Sequence, residues 1–370
     1  MKITEITLDR LRLRLDPPLR AAWDPDPRGQ FDATIVRVHT DEGITGIGSG
    51  DTMDGFAAFE DLFLGEDPLD IVRHVKAIET ANFHGGSYWP LEVALWDIIG
   101  KVAGLPIATL FGNAARAVPA YASFAELKSP EERVETAVRA RAAGFRAAKI
   151  RIDRDRVSEG IATVAAVRDS LGGDFEIMVD LNQSWRMAGD TANPSDLVKT
   201  RKIVRALAEL DVFWVEEPLP YNDIEGFRTL RADNPGVRIA AGEMLDSVPE
   251  LLRYLERDVL DVYQMDVVLA LGMHRSRTFA ELAQLKHRQF TPHSWTNGIG
   301  VLANLHVSAG VGGGPYFEFP YDPPGWTPER RDFMLREPVM INAKGELEVP
   351  RVPGLGAELD EDAVERWRIR

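Results

Sequence analysis

Six short apolar runs in this chain each end on a polar or charged residue, and the six ends recur at near-regular intervals. The end residues are Asp180, Glu216, Glu243, Asp266, His293 and Glu318. Successive ends lie 36, 27, 23, 27 and 25 residues apart, and segments between them, such as DLVKTRKIVRALAEL, have helical patterns. Strands and helices that alternate at this period are typical of a (β/α) barrel. Because the C-terminal ends of barrel strands form the face that carries the chemistry, we expect these side chains to converge there.

The length of 370 residues suits one barrel of about 250 residues with a smaller domain beside it. We predict an α+β domain over residues 1–115, the barrel over 116–320, and a C-terminal segment over 321–370 that packs back on the first domain. The first two barrel strands are predicted at VPAYASF (118–124) and AAKIRI (147–152). The pattern of residues 338–352 predicts a short hairpin.

Composition and charge exclude several classes of function. The formal net charge of −15 argues against a uniform basic face for nucleic acid. The chain has no Cys, which excludes a disulfide framework and thiol chemistry. No stretch resembles a membrane span, and the N-terminal MKITEITLDRLRLRL alternates apolar and polar residues, unlike a secretory signal. We therefore expect a cytoplasmic enzyme without nucleic-acid or membrane partners.

Acidic residues at three successive strand ends predict a metal site. Asp180, Glu216 and Glu243 end the third, fourth and fifth predicted barrel strands, and neighbouring strands lie about 5 Å apart. Crowded carboxylates repel one another unless a cation lies between them, and Mg²⁺ prefers such oxygen ligands. Asn182 lies two residues after Asp180 and is a candidate minor ligand or a neighbour of the ligands. The alternative is that these carboxylates pair with Lys or Arg of adjacent strands.

Two cations are predicted to face the same barrel mouth. Lys149 and Arg151 are two residues apart at the end of the second predicted strand, so both point inward. There they would meet the metal carboxylates or an anionic substrate, and the alternative is a structural network of ion pairs. Glu217 follows Glu216 and is predicted to point the other way, where it would pair with Lys or Arg in the barrel wall.

His293 is the candidate general base. It alone among the seven His ends a predicted barrel strand, and Asp266 ends the strand before it. An Asp beside a His fixes the tautomer and raises the basicity of the imidazole, although an Asp–His hydrogen bond can also be purely structural. Glu318, one strand further, is a candidate hydrogen-bond donor if burial keeps it protonated. His306 lies in a helix-like segment and is predicted to be a core residue.

Seven short motifs are spread along almost the whole chain. They are LWDIIGKVAGLP, GFRAAKIR, VDLNQSW, WVEEP, AGE, QMD and TPHSWTNGIG. Together they resemble the mandelate racemase/muconate lactonizing enzyme family of the enolase superfamily, in its mandelate racemase-like subgroup. The resemblance implies a modified (β/α) TIM barrel with an α+β capping domain built from both chain ends, and a homo-oligomer, either a dimer or an octamer. It also implies Mg²⁺ on the three carboxylates, an Asp266–His293 pair as the base, and Glu318 as a hydrogen-bond donor to the substrate carboxylate.

The resemblance implies abstraction of a proton alpha to a carboxylate, which gives an enediolate stabilised by Mg²⁺ and Lys149. The second-strand motif of the family is commonly Lys-x-Lys, whereas this chain has Lys149-Ile150-Arg151. Arg is a poor base because its pKa is above about 12. We therefore favour loss of a β-hydroxyl from an acid sugar or related hydroxy acid, with His293 as the base. The alternatives are a racemase or epimerase of a hydroxy acid or cyclic amino-acid derivative, and a catalytically silent barrel used for binding.

Substrate specificity is predicted to lie in the capping loops and beside the metal site. The candidate residues are Trp23, Asp24, Arg28, Asp51, Asp54, His84, Tyr88, Trp89 and Asn182. The alternative is that these are ordinary solvated loop residues. The expected partner is a small-molecule carboxylate substrate.

Overall fold

The computed structural model of the chain describes residues 1–50 and 53–369. Its N-terminal part is a three-stranded antiparallel sheet followed by helices. The elements are β1 (Ile3–Leu19), β2 (Arg28–Thr40), β3 (Thr45–Gly50), α1 (Ile71–His84), α2 (Trp89–Ala103) and α3 (Ile107–Leu110), with short 3₁₀ helices at Phe56–Ala58 and Glu60–Leu62. Strand residues such as Val36 and Val38 pack against α1 and α2 in a small core of their own.

The central part alternates strands and helices, as the period of the apolar runs predicts. The elements are β4 (Ala117–Ser123), α4 (Pro130–Ala142), β5 (Ala147–Arg151), α5 (Val157–Leu171), β6 (Glu176–Asp180), α6 (Leu197–Glu209), β7 (Trp214–Glu216), α7 (Ile224–Asp233), β8 (Arg238–Ala241), α8 (Val248–Glu256), β9 (Val262–Tyr263), α9 (Gly272–Leu285), β10 (Gln289–Phe290), α10 (Gly298–Val311) and β11 (Phe317–Pro320). The strands form one parallel sheet in the order β10-β9-β8-β7-β6-β5-β4-β11. The N–H of Gly314 donates to the carbonyl of Phe290 where β10 and β11 approach each other. The predicted capped, modified TIM barrel is confirmed.

The helix α10 is buried along nearly its whole length. Every residue from Gly298 to Gly310 is buried, because α10 contacts α3 and β3 of the N-terminal part as well as α9 and the barrel strands β4 and β11. Residues of this helix therefore join the barrel to the capping elements. Among the helices of residues 1–50 and 53–369, none combines the length and apolar character that a bilayer crossing requires.

The C-terminal part contacts both the barrel and the N-terminal sheet. Its elements are α11 (Pro328–Arg331), β12 (Glu346–Glu348) and α12 (Glu361–Trp367). β12 pairs antiparallel with the start of β4, and after α12 the N–H of Ile369 donates to the carbonyl of Arg10 in β1. The predicted hairpin over residues 338–352 is wrong, because β12 is the only strand in this range and its partner is a barrel strand. The domain boundaries stay a prediction.

The strand ends bring the polar residues to one face. Asp180 and Glu216 are the last residues of β6 and β7 and are paired in register, and Arg151 at the end of β5 is paired with Asp180. Glu243 lies two residues after the end of β8, and His293 lies three residues after the end of β10. The apolar runs thus continue beyond the hydrogen-bonded strands into the loops at the barrel mouth.

Candidate active site

Three buried carboxylates meet at the C-terminal face of the barrel. Asp180, Glu216 and Glu243 each offer an oxygen atom within 4.8 Å of those of the other two. The N–H of Asn182 donates to Asp180 Oδ1 (2.8 Å), Trp214 Nε1 donates to Glu216 Oε2 (2.9 Å), and Trp185 Nε1 donates to Glu243 Oε1 (2.7 Å), so all three carboxylates are held by neighbouring donors. The structure therefore brings together the three residues that the sequence predicts as metal ligands.

A buried lysine lies among these carboxylates. Lys149 Nζ is 2.5 Å from Glu216 Oε1, 2.7 Å from Glu318 Oε1 and 3.7 Å from Asp180 Oδ2. Burial by itself would lower the pKa of Lys149, but the surrounding carboxylates outweigh burial and raise that pKa. Lys149 is therefore a fixed positive charge. Glu216 and Asp180 thus form ion pairs with Lys149 and Arg151 of β5, which is the predicted alternative to metal binding.

The charges at this face do not balance. The buried carboxylates are Asp180, Glu216, Glu217, Glu243, Asp266 and Glu318. The positive charges beside them are Lys149, Arg151 and, when protonated, His293. Burial raises the pKa of Glu216 even though Lys149 opposes it. Glu243 Oε2 is buried without a hydrogen-bond partner, and within the described ranges no Lys or Arg pairs with Glu243. The excess negative charge, the carboxylate oxygens and the free ligand atom Glu243 Oε2 fit a hard divalent cation such as Mg²⁺.

His293 and Asp266 form a hydrogen-bonded pair. His293 Nδ1 is 2.9 Å from Asp266 Oδ2, and the other ring nitrogen, Nε2, is 3.6 Å from Glu243 Oε2. Asp266 Oδ1 accepts from the N–H of Val268 (2.8 Å) and from Asn304 Nδ2 (3.1 Å), so both oxygens of this carboxylate are held. An Asp in this position favours a proton on Nδ1 and leaves Nε2 to exchange a proton with a ligand.

The surrounding carboxylates set the protonation of His293. Burial by itself would lower the pKa of His293, but the carboxylates of Glu243 and Glu318 and the bond to Asp266 outweigh burial and raise that pKa to about 10. A cation that neutralised part of this negative charge would bring the pKa back toward the range in which an imidazole accepts protons.

Glu318 differs from its predicted state. It accepts hydrogen bonds from Ser123 Oγ (2.8 Å) and from the N–H of Ser294 (2.7 Å), and Lys149 Nζ lies against it. Burial would raise the pKa of Glu318, but Lys149 and His293 outweigh burial and lower it. The predicted condition that burial keeps Glu318 protonated is therefore not met, because a buried ammonium group pairs with it. Glu318 is a hydrogen-bond acceptor in this structure.

Two of the three guanidinium nitrogens of Arg151 donate hydrogen bonds within the protein. Its Nε donates to the carbonyl of Phe124 (3.1 Å). Its Nη1 donates to Asp180 Oδ2 and to Asn182 Oδ1, while the ring of Trp23 lies 4.3 Å from the guanidinium carbon. Burial alone would lower the pKa of Arg151, but nearby carboxylates, Asp180 first, outweigh burial and raise that pKa. Arg151 can therefore bind and orient a ligand but is unsuited to accept a proton.

Glu217 does not lie where the sequence predicts. Its backbone φ of +46° is in the left-handed region, so the chain turns immediately after Glu216. Its Oε1 accepts from the hydroxyl of Tyr221 (2.6 Å), and its Oε2 is buried without a partner. Burial and the charge of Glu243 raise the pKa of Glu217 well above its ordinary value. The predicted ion pair in the barrel wall is wrong, because the turn keeps Glu217 beside the other carboxylates.

Sequence reasoning missed five residues that hold this group in place. They are Ser123, Trp185, Trp214, Ser294 and Asn304. Trp185, Trp214 and Ser294 belong to the motifs VDLNQSW, WVEEP and TPHSWTNGIG, which could have pointed to them. Ser123 is the last residue of β4, and a lone Ser at a strand end is a weaker signal than a charged residue. Asn304 lies inside α10 and has no local signal.

A pocket opens beside the charged group and includes some of the predicted specificity residues. Trp23, Arg28 and Asn182 line it together with Arg151, Glu243 and His293. Asp24 pairs with Arg28 at this pocket, with Oδ2 at 2.5 Å from Nε. Asp51 lies outside the described residues.

The other predicted specificity residues do not line this pocket. Asp54 pairs with Arg10, and Tyr88 is buried in the small N-terminal core, where its hydroxyl donates to the carbonyl of Asp54. Trp89 Nε1 donates to the carbonyl of Ala270 and so joins α2 to the barrel. His84 is the exposed last residue of α1. These four side chains serve packing within the cap or its contact with the barrel, or face solvent.

Comparisons with known proteins agree with this architecture. The family profile described as "Enolase C-terminal domain-like" matches residues 132–363, and that described as "Mandelate racemase / muconate lactonizing enzyme, N-terminal domain" matches residues 13–112. The D-galactarolactone cycloisomerase of Agrobacterium fabrum is 29% identical over 100% of this chain and 99% of that protein. The D-xylonate dehydratase of Haloferax volcanii is 26% identical over 92% of this chain and 86% of that protein.

A solved structure shares the whole fold. The L-talarate/galactarate dehydratase from Salmonella typhimurium, liganded with Mg and L-lyxarohydroxamate, superposes with a TM-score of 0.85 at 26% identity, covering 100% of this chain and 93% of that one. The two profiles together span most of the sequence, including every residue of the buried charged group. The chain therefore belongs to the mandelate racemase/muconate lactonizing enzyme family of the enolase superfamily.

Proposed function

We propose that this chain is a Mg²⁺-dependent hydro-lyase that removes the proton alpha to the carboxylate of a hydroxy acid and expels the hydroxyl of the next carbon. Asp180, Glu216 and Glu243 would hold the ion, which supplies electrophilic stabilisation of the negative charge that develops on the substrate carboxylate. Lys149 adds a fixed positive charge to the same group.

The observation that carries the proposal is that the two candidates for proton transfer are unequal. His293 has one nitrogen bound by Asp266 and turns the other toward the metal-ligand group. Arg151 is held by hydrogen bonds, covered by Trp23, and has a raised pKa. Dehydration needs one residue that takes the α-proton and returns a proton to the leaving hydroxyl. Racemisation by two bases needs a second competent base, which Arg151 does not supply.

The reaction balances without a co-reactant. The C–H bond beside the carboxylate breaks, and its proton goes to His293 Nε2. The electron pair forms a carbon–carbon double bond as the C–O bond on the next carbon breaks. The hydroxyl leaves as water with a proton from His293, and the enol product tautomerises to a 2-keto acid. His293 returns to its starting state.

The names of the relatives support this class of reaction. They include a D-xylonate dehydratase and an L-talarate/galactarate dehydratase, and also a D-galactarolactone cycloisomerase. Lyases and isomerases thus both occur among proteins similar to this chain. The unequal pair of His293 and Arg151 favours the lyase.

The test is an assay of 2-keto acid formation over a panel of acid sugars and hydroxy acids. We expect keto acid only with Mg²⁺ present, and at least about 100-fold more slowly from the His293→Asn variant. His84→Asn, which changes an exposed His outside the pocket, should retain the wild-type rate. Conversion of a substrate to its epimer without keto acid would identify a racemase instead. Mg²⁺ binding without turnover of any compound would identify a barrel used for binding.

We also propose that the protein is cytoplasmic and that it forms a homo-oligomer. The exposed apolar side chains of Phe83 (85% exposed) and Leu285 (78% exposed) are candidate contacts between copies. Light scattering of the purified chain would measure its mass. A monomer at micromolar concentration would contradict this expectation.

A further inference from the structure

The pocket that contains Arg151, Glu243 and His293 has two unlike ends. One end is the buried charged group. The other is lined mainly by aromatic and aliphatic side chains: Leu15, Leu19, Trp23, Phe31, Trp295 and Trp326. These residues come from the N-terminal sheet and its loop, the loop after β10, and the C-terminal part. The far end is therefore built jointly by the cap, the barrel and the tail.

The aromatic rings at the far end hold one another in place. Trp23 meets Trp295 edge to face at 4.9 Å between ring centroids, and Phe31 meets Trp326 in the same way at 4.9 Å. Trp295 and Trp326 are stacked at 5.7 Å. Trp295 Nε1 donates to Ser123 Oγ (2.8 Å), so its polar atom is already used within the protein. A wall of this kind offers a ligand apolar contact area and few hydrogen bonds.

The far end has no unpaired cation among residues 1–50 and 53–369. Apart from Arg151, Arg28 is the only Lys or Arg within the described ranges that lines the pocket, and its charge is paired with that of Asp24 through Nε. Gln30, the other polar residue at this end, is exposed at the rim. A second substrate carboxylate placed here would lose its hydration without gaining a counter-ion, which is strongly unfavourable.

We infer that the substrate is a monocarboxylic hydroxy acid whose part beyond the reacting carbons is an uncharged, ring-shaped apolar group, and is not an open-chain sugar diacid. The inference rests on the proposed function for the reacting end of the molecule. A ring-shaped apolar group matches the walls of Trp23, Trp295 and Trp326 in polarity. The hydroxyls of an open-chain diacid would instead leave water for a surface that offers few hydrogen-bond partners.

A matched pair of ligands tests the inference by binding alone. Phenyllactate and malate share the carboxylate and the hydroxyl beside it, and differ in carrying a phenyl ring or a second carboxylate at the far end. Calorimetry with Mg²⁺ present should show phenyllactate binding the wild-type protein at least about 10-fold more tightly than malate, in line with the discrimination of apolar pockets. Tighter binding of malate would overturn the inference.

Two variants separate the contributions of charge and ring contact. Asp24→Asn frees the guanidinium of Arg28, so malate should bind about 10-fold more tightly while phenyllactate changes by less than about 2-fold. Trp23→Leu removes part of the aromatic wall and should weaken phenyllactate about 10-fold, with malate little affected. Circular dichroism checks that both variants fold. Unchanged malate affinity in the first variant, or unchanged phenyllactate affinity in the second, would contradict the assignment of the far end.

A second matched pair separates this inference from the proposed reaction. Phenylglycerate and tartrate have the same α-hydrogen and the same neighbouring hydroxyl, and loss of water gives phenylpyruvate or oxaloacetate. Faster dehydration of phenylglycerate supports both proposals. Faster dehydration of tartrate overturns the inference and supports the reaction. If neither compound loses water although phenyllactate binds more tightly than malate, the inference stands and the proposed reaction fails.

Discussion

Two buried histidines of this barrel have opposite electrostatic surroundings. His293 lies after β10 at the barrel mouth, and nearby carboxylates outweigh the effect of burial and raise its pKa to about 10. His306 lies inside α10, where burial lowers its pKa to about 4. The exposed fractions of the two residues are 6% and 0%, so burial alone does not distinguish them.

The difference lies in what each ring nitrogen contacts. In His306, Nδ1 accepts from the N–H of Ala108 (3.0 Å) and Nε2 lies 2.9 Å from the carbonyl of Leu355, so both nitrogens are used by the backbone. In His293, Asp266 occupies one nitrogen and the other faces the metal-ligand group. A buried histidine suits proton transfer when one nitrogen is fixed and the other is left for a ligand. The sequence-based prediction that His306 is a core residue is confirmed.

The largest expected effect is the loss of proton transfer in His293→Asn. Asn keeps a polar side chain beside Asp266 but cannot accept the α-proton, so the rate should fall about 100- to 10,000-fold. The free energy of unfolding should change little compared with that loss. The measurement is keto acid formation from the substrate that the panel identifies. A variant that keeps more than a tenth of the wild-type rate would show that His293 is not the base.

The pH dependence of stability tests the other histidine. The folded-state pKa of His306, about 4, lies below the unfolded value of about 6.5, so the unfolded chain takes up the proton first. Above pH about 6.5 the neutral ring contributes its full stabilisation. As the pH falls toward about 4, the free energy of unfolding decreases, and the total decrease is roughly 3 kcal/mol. Urea unfolding of the wild type and of His306→Gln should show a difference in unfolding free energy that shrinks over this range. A difference independent of pH would contradict the assignment of a neutral His306.

The variant Glu243→Gln, which removes the carboxylate next to His293, should lose metal binding while the protein still folds. In Glu243→Gln the amide oxygen can still accept from Trp185 Nε1, while the negative charge on Oε2, which lies among other buried carboxylates and 3.6 Å from His293 Nε2, disappears. The relief of repulsion between carboxylates offsets the lost attraction to His293, so we expect the metal-free variant to be about as stable as the wild type. Saturating Mg²⁺ should stabilise the wild type by about 3 kcal/mol at 100 times its dissociation constant, and the variant hardly at all.

Thermal unfolding with and without Mg²⁺ measures this difference. The control is Glu281→Gln, which removes an exposed carboxylate from α9 and should respond to Mg²⁺ like the wild type. Equal stabilisation of Glu243→Gln and the wild type would remove Glu243 from the ligand set.

A smaller effect is expected from the residue that orients the base. In Asp266→Asn the ring of His293 loses its negatively charged partner, although Val268 and Asn304 still hold the side chain. The rate should fall about 10- to 100-fold, less than in His293→Asn. The pKa of His293, followed by NMR of its ring protons, should also fall. An unchanged rate would show that the Asp266–His293 bond is structural only.

The fold and the charged group could be predicted because polar residues at strand ends are a periodic signal. Asp180 and Glu216 end β6 and β7, and the parallel register brings them together whatever the helices between them contain. Asn304 could not be predicted in this way. It reaches Asp266 from within α10, and that contact depends on how the helix packs between the barrel and the cap.

The positions of the candidate specificity residues could not be predicted from the sequence either. Trp23 and Tyr88 are both aromatic residues of the cap, yet Trp23 covers Arg151 in the pocket and Tyr88 is buried among other cap residues. Loop residues have no fixed period, so sequence alone does not say which side of the cap each one faces. Glu217 was mispredicted for a related reason: its left-handed backbone ends the alternation on which the prediction depended.

The most direct test of the central claim, that His293 acts opposite a guanidinium that keeps its proton, is the stereochemistry of deuterium uptake. The wild type is incubated with its substrate in heavy water, and both epimers of the substrate and the keto acid are followed by NMR. The account predicts formation of keto acid, with any deuterium in the remaining substrate confined to its original configuration. Deuterium at the α-carbon of the opposite epimer, with no keto acid formed, would contradict the account and identify a second working base.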